Sequence, residues 1–407
     1  MRIDSVSSLF TGVAAKKLSA VEASRSASNQ HELNGVTVFR RVLGEPSGRP
    51  IETTFAWIDD DSDEVALEEG TLTYYDARLS HPTRSELRIY YPAWIAMTQR
   101  MRPGDVVFLA RRIDGRLLMI GCPFGSTVSV QLHALFDTSL DEKLVAVTED
   151  LDTNSLSLAA IDLLEKLGVS VRLEDDTLLE RLHAKFGMQF PQTRAFSETA
   201  REWSASVDPH HDPDGALMEW LRMEEVMFRT FERHVAEESL RQIYEGPIDV
   251  DRFVEVSLSI HNRRKSRAGK SFENHLIALF EAQPLSFSFN EVTENRTRPD
   301  FLFPGIEHYR DLNLDPSLLT VLGAKTTCKD RWRQVLNEAK RVDQIHLITL
   351  EAPISENQTS EMIDQNLQLV VPKPLHSVFT PTQRDWLMSV GSFIGMATGR
   401  EQAIRRP

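Results

Sequence analysis

The sequence feature that most constrains the fold is an alternation of short apolar segments with helical patterns in the second half of the chain. The apolar segments have the length of buried strands and lie at 300–303, 319–324, 344–350 and 367–372. Helical spacing of apolar residues covers 214–234, a segment that begins near Ser271, 331–341 and 381–398. Because strands that alternate with helices are typical of α/β domains, we predict a sheet covered by helices.

The first half of the chain, to about residue 135, has instead the pattern of a β-rich domain. Short strand-like segments lie at 36–42, 86–91, 105–111 and 117–121, and the last two flank the turn pair Asp114 and Gly115. Such a series predicts a small barrel or sandwich. We expect a helix over 154–168 and interpret the charged, unpatterned segment 171–188 as a linker. The predicted organisation is an N-terminal domain over 1–170 and a second domain over 189–407.

Composition agrees with two domains and restricts the possible partners. The chain has 407 residues, a net charge of −14 and two cysteines, Cys122 and Cys328. Two cysteines exclude a disulfide framework or a cysteine-rich zinc site. No apolar run has the length of a membrane span and no signal-peptide pattern is present, so we expect a cytoplasmic protein.

The negative net charge does not exclude DNA, because phosphate binding depends on the local field. One short segment carries five basic residues and no acid: Arg263, Arg264, Lys265, Arg267 and Lys270. We interpret it as a phosphate-binding loop that leads into the helix near Ser271, whose N-terminus favours anions. A solvated basic turn is the alternative.

A carboxylate and a lysine, Asp300 and Lys325, lie at the ends of two consecutive predicted strands. If these strands pair, both side chains reach one edge of the sheet, where a carboxylate can hold Mg²⁺ and a lysine can align the attacking water. Nucleases usually carry a second acid two residues before this lysine, but position 323 is glycine. Glu338, in the predicted helix after the lysine strand, is the best replacement, and Glu273 is another. The alternative is that Asp300 is a turn residue and Lys325 an exposed strand end.

The residues just after this lysine are suited to reading bases. Lys329 and Arg331 can donate to guanine, and Asp330 can accept from cytosine, so the triplet could recognise G·C pairs. A charged helix start, with Asp330 near the positive end of the dipole, is the alternative. His210, His211 and Asp212 lie in a Pro-rich segment that indicates a loop rather than a metal site. No P-loop or nucleophile-elbow motif is present, which argues against ATP dependence and serine hydrolysis.

At these positions the chain closely resembles the EcoRII family of type II restriction endonucleases. The resemblance is dense over 189–375 and includes the segments 262–271, 299–304, 325–334, 336–339 and 369–372. It implies a PD-(D/E)xK fold with Asp300, Lys325, Glu338 and Glu273 as catalytic residues, and Mg²⁺ held by Asp300, Glu338 and Ala324. It also implies that Lys329, Asp330 and Arg331 read a CC/GG half-site within a CCWGG-like or CCNGG-like palindrome. The enzyme would act as a homodimer, with a cytosine methyltransferase as its functional partner.

The N-terminal half resembles the effector domain of that family more weakly. The similar segments are 16–20, 29–31 and 83–88, and the family's lysine before the last segment is Pro82 here. The resemblance implies a B3-like pseudobarrel that binds a second DNA site and otherwise blocks the catalytic cleft, the type IIE behaviour. The effector-binding residues would be Lys17, His31, Arg84, Glu86 and Arg88. The alternatives are a defence nuclease that senses another DNA feature, such as modified cytosine, and a catalytically inactive DNA-binding protein.

Overall fold

The computed structural model of the chain is built around two β-sheets, one in each half. It describes residues 2–23, 32–62, 65–81, 83–139, 145–152, 156–174, 176–204, 206–244, 249–329, 331–338, 340–352 and 354–405. Within these ranges, no helix has both the length and the apolar character needed to cross a membrane.

The strands and helices are numbered in chain order. The strands are β1 (Arg2–Ile3), β2 (Phe10–Lys17), β3 (Glu32–Asn34), β4 (Ser47–Trp57), β5 (Ala66–Asp76), β6 (Leu87–Tyr90), β7 (Val106–Arg112), β8 (Leu117–Cys122), β9 (Val145–Thr148), β10 (Leu173–Glu174), β11 (Ser288–Phe289), β12 (Phe301–Phe303), β13 (Thr320–Lys325), β14 (Ile345–Thr349) and β15 (Leu367–Val370). The helices are α1 (Val6–Leu9), α2 (Ala20–Ala23), α3 (Arg40–Leu43), α4 (Ala96–Arg100), α5 (Thr127–Leu135), α6 (Leu158–Lys166), α7 (Asp176–Phe186), α8 (Thr193–Trp203), α9 (Pro213–Tyr244), α10 (Val250–Glu281), α11 (Ile306–Arg310), α12 (Trp332–Val335), α13 (Glu356–Asp364), α14 (Pro381–Trp386) and α15 (Val390–Arg405).

The first half of the chain forms an eight-stranded sheet, which confirms the β-rich expectation. Its order is β3-β6-β5-β4-β8-β7-β2-β9, and the described pairs are antiparallel except β4 with β8. β7 and β8 form the predicted hairpin, in which Gly115 has a φ of 87°. Side chains alternate between two buried clusters, with Phe108 and Ile120 in one and Leu109 and Met119 in the other. The sheet is therefore buried on both faces.

The second half forms a five-stranded mixed sheet in the order β11-β12-β13-β14-β15. β13, β14 and β15 are parallel, whereas β11, β12 and β13 are antiparallel. Val321 and Leu347 face one apolar cluster, and Leu322 and Ile348 face another that includes residues of α9, α10 and α15. This arrangement confirms the predicted mixed α/β class. It places the end of β13 beside the start of β12, where Lys325 and Asp300 lie.

Two predictions about local structure in the N-terminal half were wrong. Residues 36–42 are not a strand: a 3₁₀ helix covers Thr37–Phe39 and α3 follows it. The buried residues Phe39, Val42 and Leu43 have i, i+3, i+4 spacing, which is helical rather than alternating. Segment 171–188 is not unpatterned, because α7 occupies it and buries Leu182 against α8 and α9. The domain boundary itself stays a prediction.

The basic run 263–270 lies in the middle of α10, so its interpretation as a phosphate loop before a helix N-terminus was wrong. α10 begins at Val250, where the Asp249 side chain caps it by accepting a hydrogen bond from the Arg252 amide. The first half of α10 is largely exposed, and its apolar residues are not buried in the core. Because the prediction relied on a buried apolar stripe, it started the helix only at Ser271.

Two other helices are shorter than the apolar spacing predicted. α12 ends at Val335, so Glu338 lies beyond the helix and not within it. The last predicted helix is divided into α14 and α15 at Met388. The Met388 amide donates to the Leu369 carbonyl at 3.1 Å, and the Val371 amide donates to the Met388 carbonyl at 2.9 Å. The backbone of Met388 therefore joins the edge of the sheet instead of continuing the helix.

Candidate active site

Asp300 and Lys325 meet at one edge of the five-stranded sheet, as the sequence predicted. The Lys325 ammonium lies 2.9 Å from Asp300 Oδ2, and the Ala324 amide donates to the same oxygen at 2.7 Å. Their side chains are about one-fifth exposed, with values of 22% for Lys325 and 17% for Asp300. Antiparallel pairing of β12 with β13 brings the start of one strand to the end of the other. Asp300 and Lys325 therefore form a solvent-accessible ion pair, and are not simply a turn residue and an exposed strand end.

Packing leaves no space for an acid at position 323. A Cβ atom added to Gly323 would lie 2.8 Å from Val335 Cγ1 and 3.5 Å from Leu347 Cδ1. Such a distance is far inside van der Waals contact, so any side chain here would displace Val335. The second carboxylate must therefore come from another part of the chain.

Glu338 is the best candidate for this second carboxylate, although it lies after α12 and not within the helix. Burial raises its pKa to about 7, with the Lys325 charge lowering the pKa and the Asp300 charge raising it. Its Oε2 is buried and has no hydrogen-bond partner among the described residues. Its backbone carbonyl lies within hydrogen-bond distance of two hydroxyl oxygens, Thr293 Oγ1 at 2.7 Å and Thr297 Oγ1 at 3.0 Å. The sequence indicated neither threonine.

Glu273 approaches the same site from α10. Burial raises the pKa of its half-buried carboxyl, as does the charge of Asp300, while Lys325 and Lys270 act in the opposite direction. The structure thus brings all four predicted catalytic side chains to one region. Their catalytic roles remain a prediction.

The predicted base-reading residues differ sharply in exposure. Lys329 is buried, and its ammonium lies 3.4 Å from the Asp59 carbonyl and 3.3 Å from the Ser62 carbonyl of the N-terminal half. Arg331 is exposed and donates to the Thr327 hydroxyl at 2.8 Å. Asp330 lies outside the described residues.

A buried acid that the sequence analysis missed holds the backbone of this loop. The Glu351 carboxylate accepts hydrogen bonds from the amides of Cys328 and, at 2.9 Å, Lys329. Glu351 lies two residues after the end of β14, whereas Lys325 is the last residue of β13. A charged residue at the carboxyl end of a buried parallel strand was the signal that could have identified it.

The basic residues on α10 have different environments. Arg267 is buried and pairs with Glu224, which corrects its assignment as a DNA backbone contact: Nη2 lies 2.7 Å from Glu224 Oε1, and the guanidinium lies 3.8 Å from the Phe228 ring centre. Arg264 is half-exposed and lies 2.6 Å from Glu232. The remaining positions are Arg263, which lies over the Phe190 ring, Lys270, which is exposed, and Lys265, whose side chain is outside the description.

The loop around His211 has no features of a metal centre. His211 Nδ1 lies 2.6 Å from Asp208, and both side chains are largely exposed. In the part of the chain that the structure describes, no group of three or more His, Cys, Asp or Glu residues is arranged to hold a metal ion. Residues 208–212 contain no helix or strand, which confirms the predicted loop.

Three predicted effector-binding residues lie near the β5–β6 connection. Arg84 is exposed, and Glu86 pairs with Arg88 and, at 2.5 Å, with Arg78. Arg88 also donates to Asn34 at 2.7 Å. On β2, the Lys17 ammonium lies 3.6 Å from the Phe124 ring centre. His31 and Pro82 are not among the described residues.

Polar contacts join the two halves of the molecule close to the candidate site. The Thr127 hydroxyl donates to the Ile354 carbonyl at 2.8 Å, and both atoms are buried. The Arg229 guanidinium makes two hydrogen bonds, at 2.7 and 2.8 Å, to the Glu165 carboxylate. Together with the Lys329 contacts, these bonds hold the N-terminal half against the second half of the chain.

Comparison with known proteins identifies the class. Residues 228–394 match the family model described as EcoRII C terminal. Over 338 residues the chain is 44% identical to the type II restriction enzyme EcoRII of Escherichia coli, covering 81% of this chain and 79% of that enzyme. A second relative, the type II restriction enzyme SsoII of Shigella sonnei, is 28% identical over 126 residues, which is 28% of this chain and 40% of that enzyme. A solved complex of metal-depleted Ecl18kI with uncleaved, modified DNA superposes with a TM-score of 0.46 and 18% identity, covering 58% of this chain and 87% of that one.

The extent of identity with a curated enzyme defines this protein as a type II restriction endonuclease, an enzyme that cuts DNA at specific sites. The chain belongs to the EcoRII family.

Proposed function

We propose that this chain is a Mg²⁺-dependent endonuclease that cuts double-stranded DNA at a CCWGG-like or CCNGG-like palindrome. Asp300 and Glu338 would hold the metal, with the backbone of Ala324, and Lys325 would orient the attacking water. The observation that carries the proposal is the 2.9 Å contact of Lys325 with Asp300, together with the buried Oε2 of Glu338, which has no hydrogen-bond partner among the described residues. Membership of the EcoRII family adds independent support.

The residues at this edge fit Mg²⁺ rather than a softer metal. Mg²⁺ prefers oxygen ligands and commonly uses one or two carboxylates, with water and substrate phosphate in the other positions. Two carboxylates, Asp300 and Glu338, are therefore sufficient, although they do not form a larger acidic cluster. An unpaired buried carboxylate oxygen is costly, and a bound cation would remove that cost.

When bound, Mg²⁺ would supply positive charge at the scissile phosphate. The chain's own groups would complete the site around it. Lys325 carries an ammonium that can donate hydrogen bonds to a water or to a phosphate oxygen. The Ala324 amide fixes the Asp300 carboxylate, so that the acid does not need to reorganise during the reaction. Glu273 adds a third negative group on the α10 side of the site.

Recognition would come from the loop after β13 and from α10. In this proposal Lys329, Asp330 and Arg331 contact base edges, and Arg263, Arg264, Lys265 and Lys270 contact the phosphates. Glu351 would keep the base-reading loop in one backbone conformation.

Digestion of a plasmid of known sequence, followed by sequencing of the ends, tests this function. The expected result is cutting at one short palindromic sequence that requires Mg²⁺ and stops when the cytosines are methylated by the corresponding cytosine methyltransferase. Ends at random positions, or equal cutting with EDTA, would contradict the proposal.

We also propose that the N-terminal half inhibits the catalytic half until it binds a second DNA site. The supporting observation is that Lys329, a proposed base reader, is covered by the carbonyls of Asp59 and Ser62. DNA at the effector residues Lys17, His31, Arg84, Glu86 and Arg88 could release this contact only by binding the open form more tightly.

Breaking an inter-half ion pair in the full chain tests the inhibition. Glu165→Ala removes the partner that Arg229 has in the N-terminal half, and should speed cleavage of single-site DNA about 5-fold or more, a typical coupling between two sites. Asp162→Ala is the matched control, because Asp162 is also on α6 but pairs with Lys166 on the same helix. If Glu165→Ala and Asp162→Ala cut single-site DNA at the wild-type rate, the inhibition proposal fails.

A homodimer is the third part of the proposal. A palindrome has twofold symmetry, so a twofold dimer would present one active site to each strand. Exposed apolar residues follow one another at helical spacing on the first half of α10 and offer a surface for association: Val250, Phe253, Val254 and Leu258. Sedimentation of Phe253→Asp should show a monomer, whereas the exposed loop variant Ile113→Asp should remain dimeric.

A further inference from the structure

The position of Glu338 does not depend on a helix. α12 ends at Val335, and the Glu338 amide retains only a turn-like hydrogen bond to the Val335 carbonyl at 3.1 Å. The Glu338 carbonyl is instead approached by two hydroxyls, from Thr293 at 2.7 Å and from Thr297 at 3.0 Å. Side chains from another segment therefore locate the residue.

The two threonines belong to a closed turn that leads directly into Asp300. The Thr293 amide donates to the Thr297 carbonyl at 3.0 Å, and the Thr297 amide donates to the Glu294 carbonyl at 3.1 Å. Thr297 is followed by Arg298, Pro299 and Asp300. A contact between this turn and Glu338 thus joins the backbones that carry the two proposed metal-binding acids.

Each hydroxyl has one proton, which restricts the possible hydrogen bonds. Thr297 Oγ1 also lies 2.7 Å from the Glu294 carbonyl and 2.9 Å from Thr293 Oγ1. The two shortest oxygen–oxygen distances, both 2.7 Å, assign the Thr293 proton to the Glu338 carbonyl and the Thr297 proton to the Glu294 carbonyl. Thr293 then makes the main bond to Glu338, and Thr297 supports the turn.

We propose that Thr293, supported by Thr297, is a positioning residue that sets the separation of the Glu338 and Asp300 carboxylates. This inference rests on the proposed metal-dependent function. Thr293 acts through the Glu338 backbone and does not touch the metal or the DNA. Groups of this kind, which orient ligands from behind, commonly change metal affinity or activity by about 10- to 100-fold when they are removed.

Single-turnover cleavage by the full chain, measured against Mg²⁺ concentration, tests the role. Thr293→Val keeps the shape of the side chain but removes the hydroxyl, and should raise the Mg²⁺ concentration for half-maximal rate about 10-fold. Thr293→Ser keeps the hydroxyl and should behave like the wild type. Thr199→Val is the control for a lost hydroxyl–carbonyl bond elsewhere, because Thr199 bonds the Ala195 carbonyl within α8.

A purely structural role would lower the melting temperature of Thr293→Val and Thr199→Val without changing their Mg²⁺ dependence. That result would overturn the inference, as would equal impairment of Thr293→Ser and Thr293→Val. If Thr293→Val does not fold, Thr297→Val replaces it: a weaker shift in the same direction supports the role, and no shift overturns it.

A parallel Glu338→Gln measurement separates this inference from the proposed function. Loss of cleavage in Glu338→Gln with an unchanged Thr293→Val rejects the positioning role alone. Normal cleavage by Glu338→Gln rejects the metal assignment itself.

Discussion

Arg267 should stabilise the folded protein rather than bind DNA. Arg267→Ala tests this, because it should lower the stability of the protein and not its affinity for DNA. Its guanidinium lies 2.7 Å from Glu224 Oε1 and stacks 3.8 Å from the Phe228 ring centre. Glu224 is fully buried, and on its other side His275 Nε2 lies 2.8 Å from Oε2. Removing the arginine leaves a buried carboxylate without its strongest cation.

Breaking a buried ion pair from one side typically costs about 3–5 kcal/mol of stability. Arg267→Ala should therefore lower the free energy of unfolding by about this amount, measured by urea denaturation with near-ultraviolet circular dichroism. Exchanging both partners for neutral residues of similar size, as in Arg267→Met with Glu224→Gln, should recover much of the loss because no charge remains buried.

Lys270→Ala is the matched control on the same helix. Lys270 is exposed, so its loss should change stability by less than about 0.5 kcal/mol, yet it should weaken DNA binding and reduce the dependence of binding on salt. The reasoning would be refuted if Arg267→Ala were as stable as Lys270→Ala and had lost DNA affinity instead.

Three further predictions concern the packing at Gly323, the base contact of Arg331 and the buried charge of Glu224. Gly323→Asp in a Glu338→Ala background should not restore cleavage and should cost about 1–3 kcal/mol of stability, because Val335 fills the space; recovery of activity would show that an acid is tolerated there. Arg331→Ala should lose about 1–3 kcal/mol of discrimination at one base pair, measured as the ratio of cleavage rates on cognate and singly altered sites; an unchanged ratio would remove Arg331 from base reading. Burial alone would raise the pKa of Glu224, but His275 and Arg267 lower it from 4.5 to about 2. Ionised Glu224 therefore contributes its full stability above about pH 4.5, and this contribution is lost as the pH falls towards 2. Urea titrations of Glu224→Gln should lack this part of the acid dependence.

The sequence predicted the catalytic sheet well because its strands are continuously apolar. Val321, Leu322, Leu347 and Ile348 are buried on both faces of the sheet, a pattern that local composition reveals. Once adjacent strands were paired, the approach of Asp300 to its lysine followed from the geometry of neighbouring strands.

The environment of charged residues could not be predicted in the same way. Arg267 and Lys270 are both basic residues of α10, but Arg267 forms an ion pair with the buried Glu224 of α9, whereas Lys270 is exposed. Lys329 is buried by carbonyls from the other half of the chain, a contact that no local pattern encodes. Long-range pairing decides such cases, so residue type and the family resemblance assigned Arg267, Lys270 and Lys329 alike to DNA.

Glu338 shows why the length of a helix was also hard to predict. Apolar spacing continues through 331–341, but α12 ends early and the Thr293 hydroxyl donates to the Glu338 carbonyl instead. A side chain from a distant turn thus replaced the helical hydrogen bond that propensity would favour.

The central claim is that Asp300, Lys325 and Glu338 form the cutting site, and the single-turnover rate of Lys325→Ala on cognate DNA at saturating Mg²⁺ tests it most directly. The claim predicts normal binding of the cognate duplex and cleavage at least about 100-fold slower than the wild type, the usual effect of losing one transition-state contact. Near-normal cleavage by Lys325→Ala, with binding intact, would contradict the assignment of the active site.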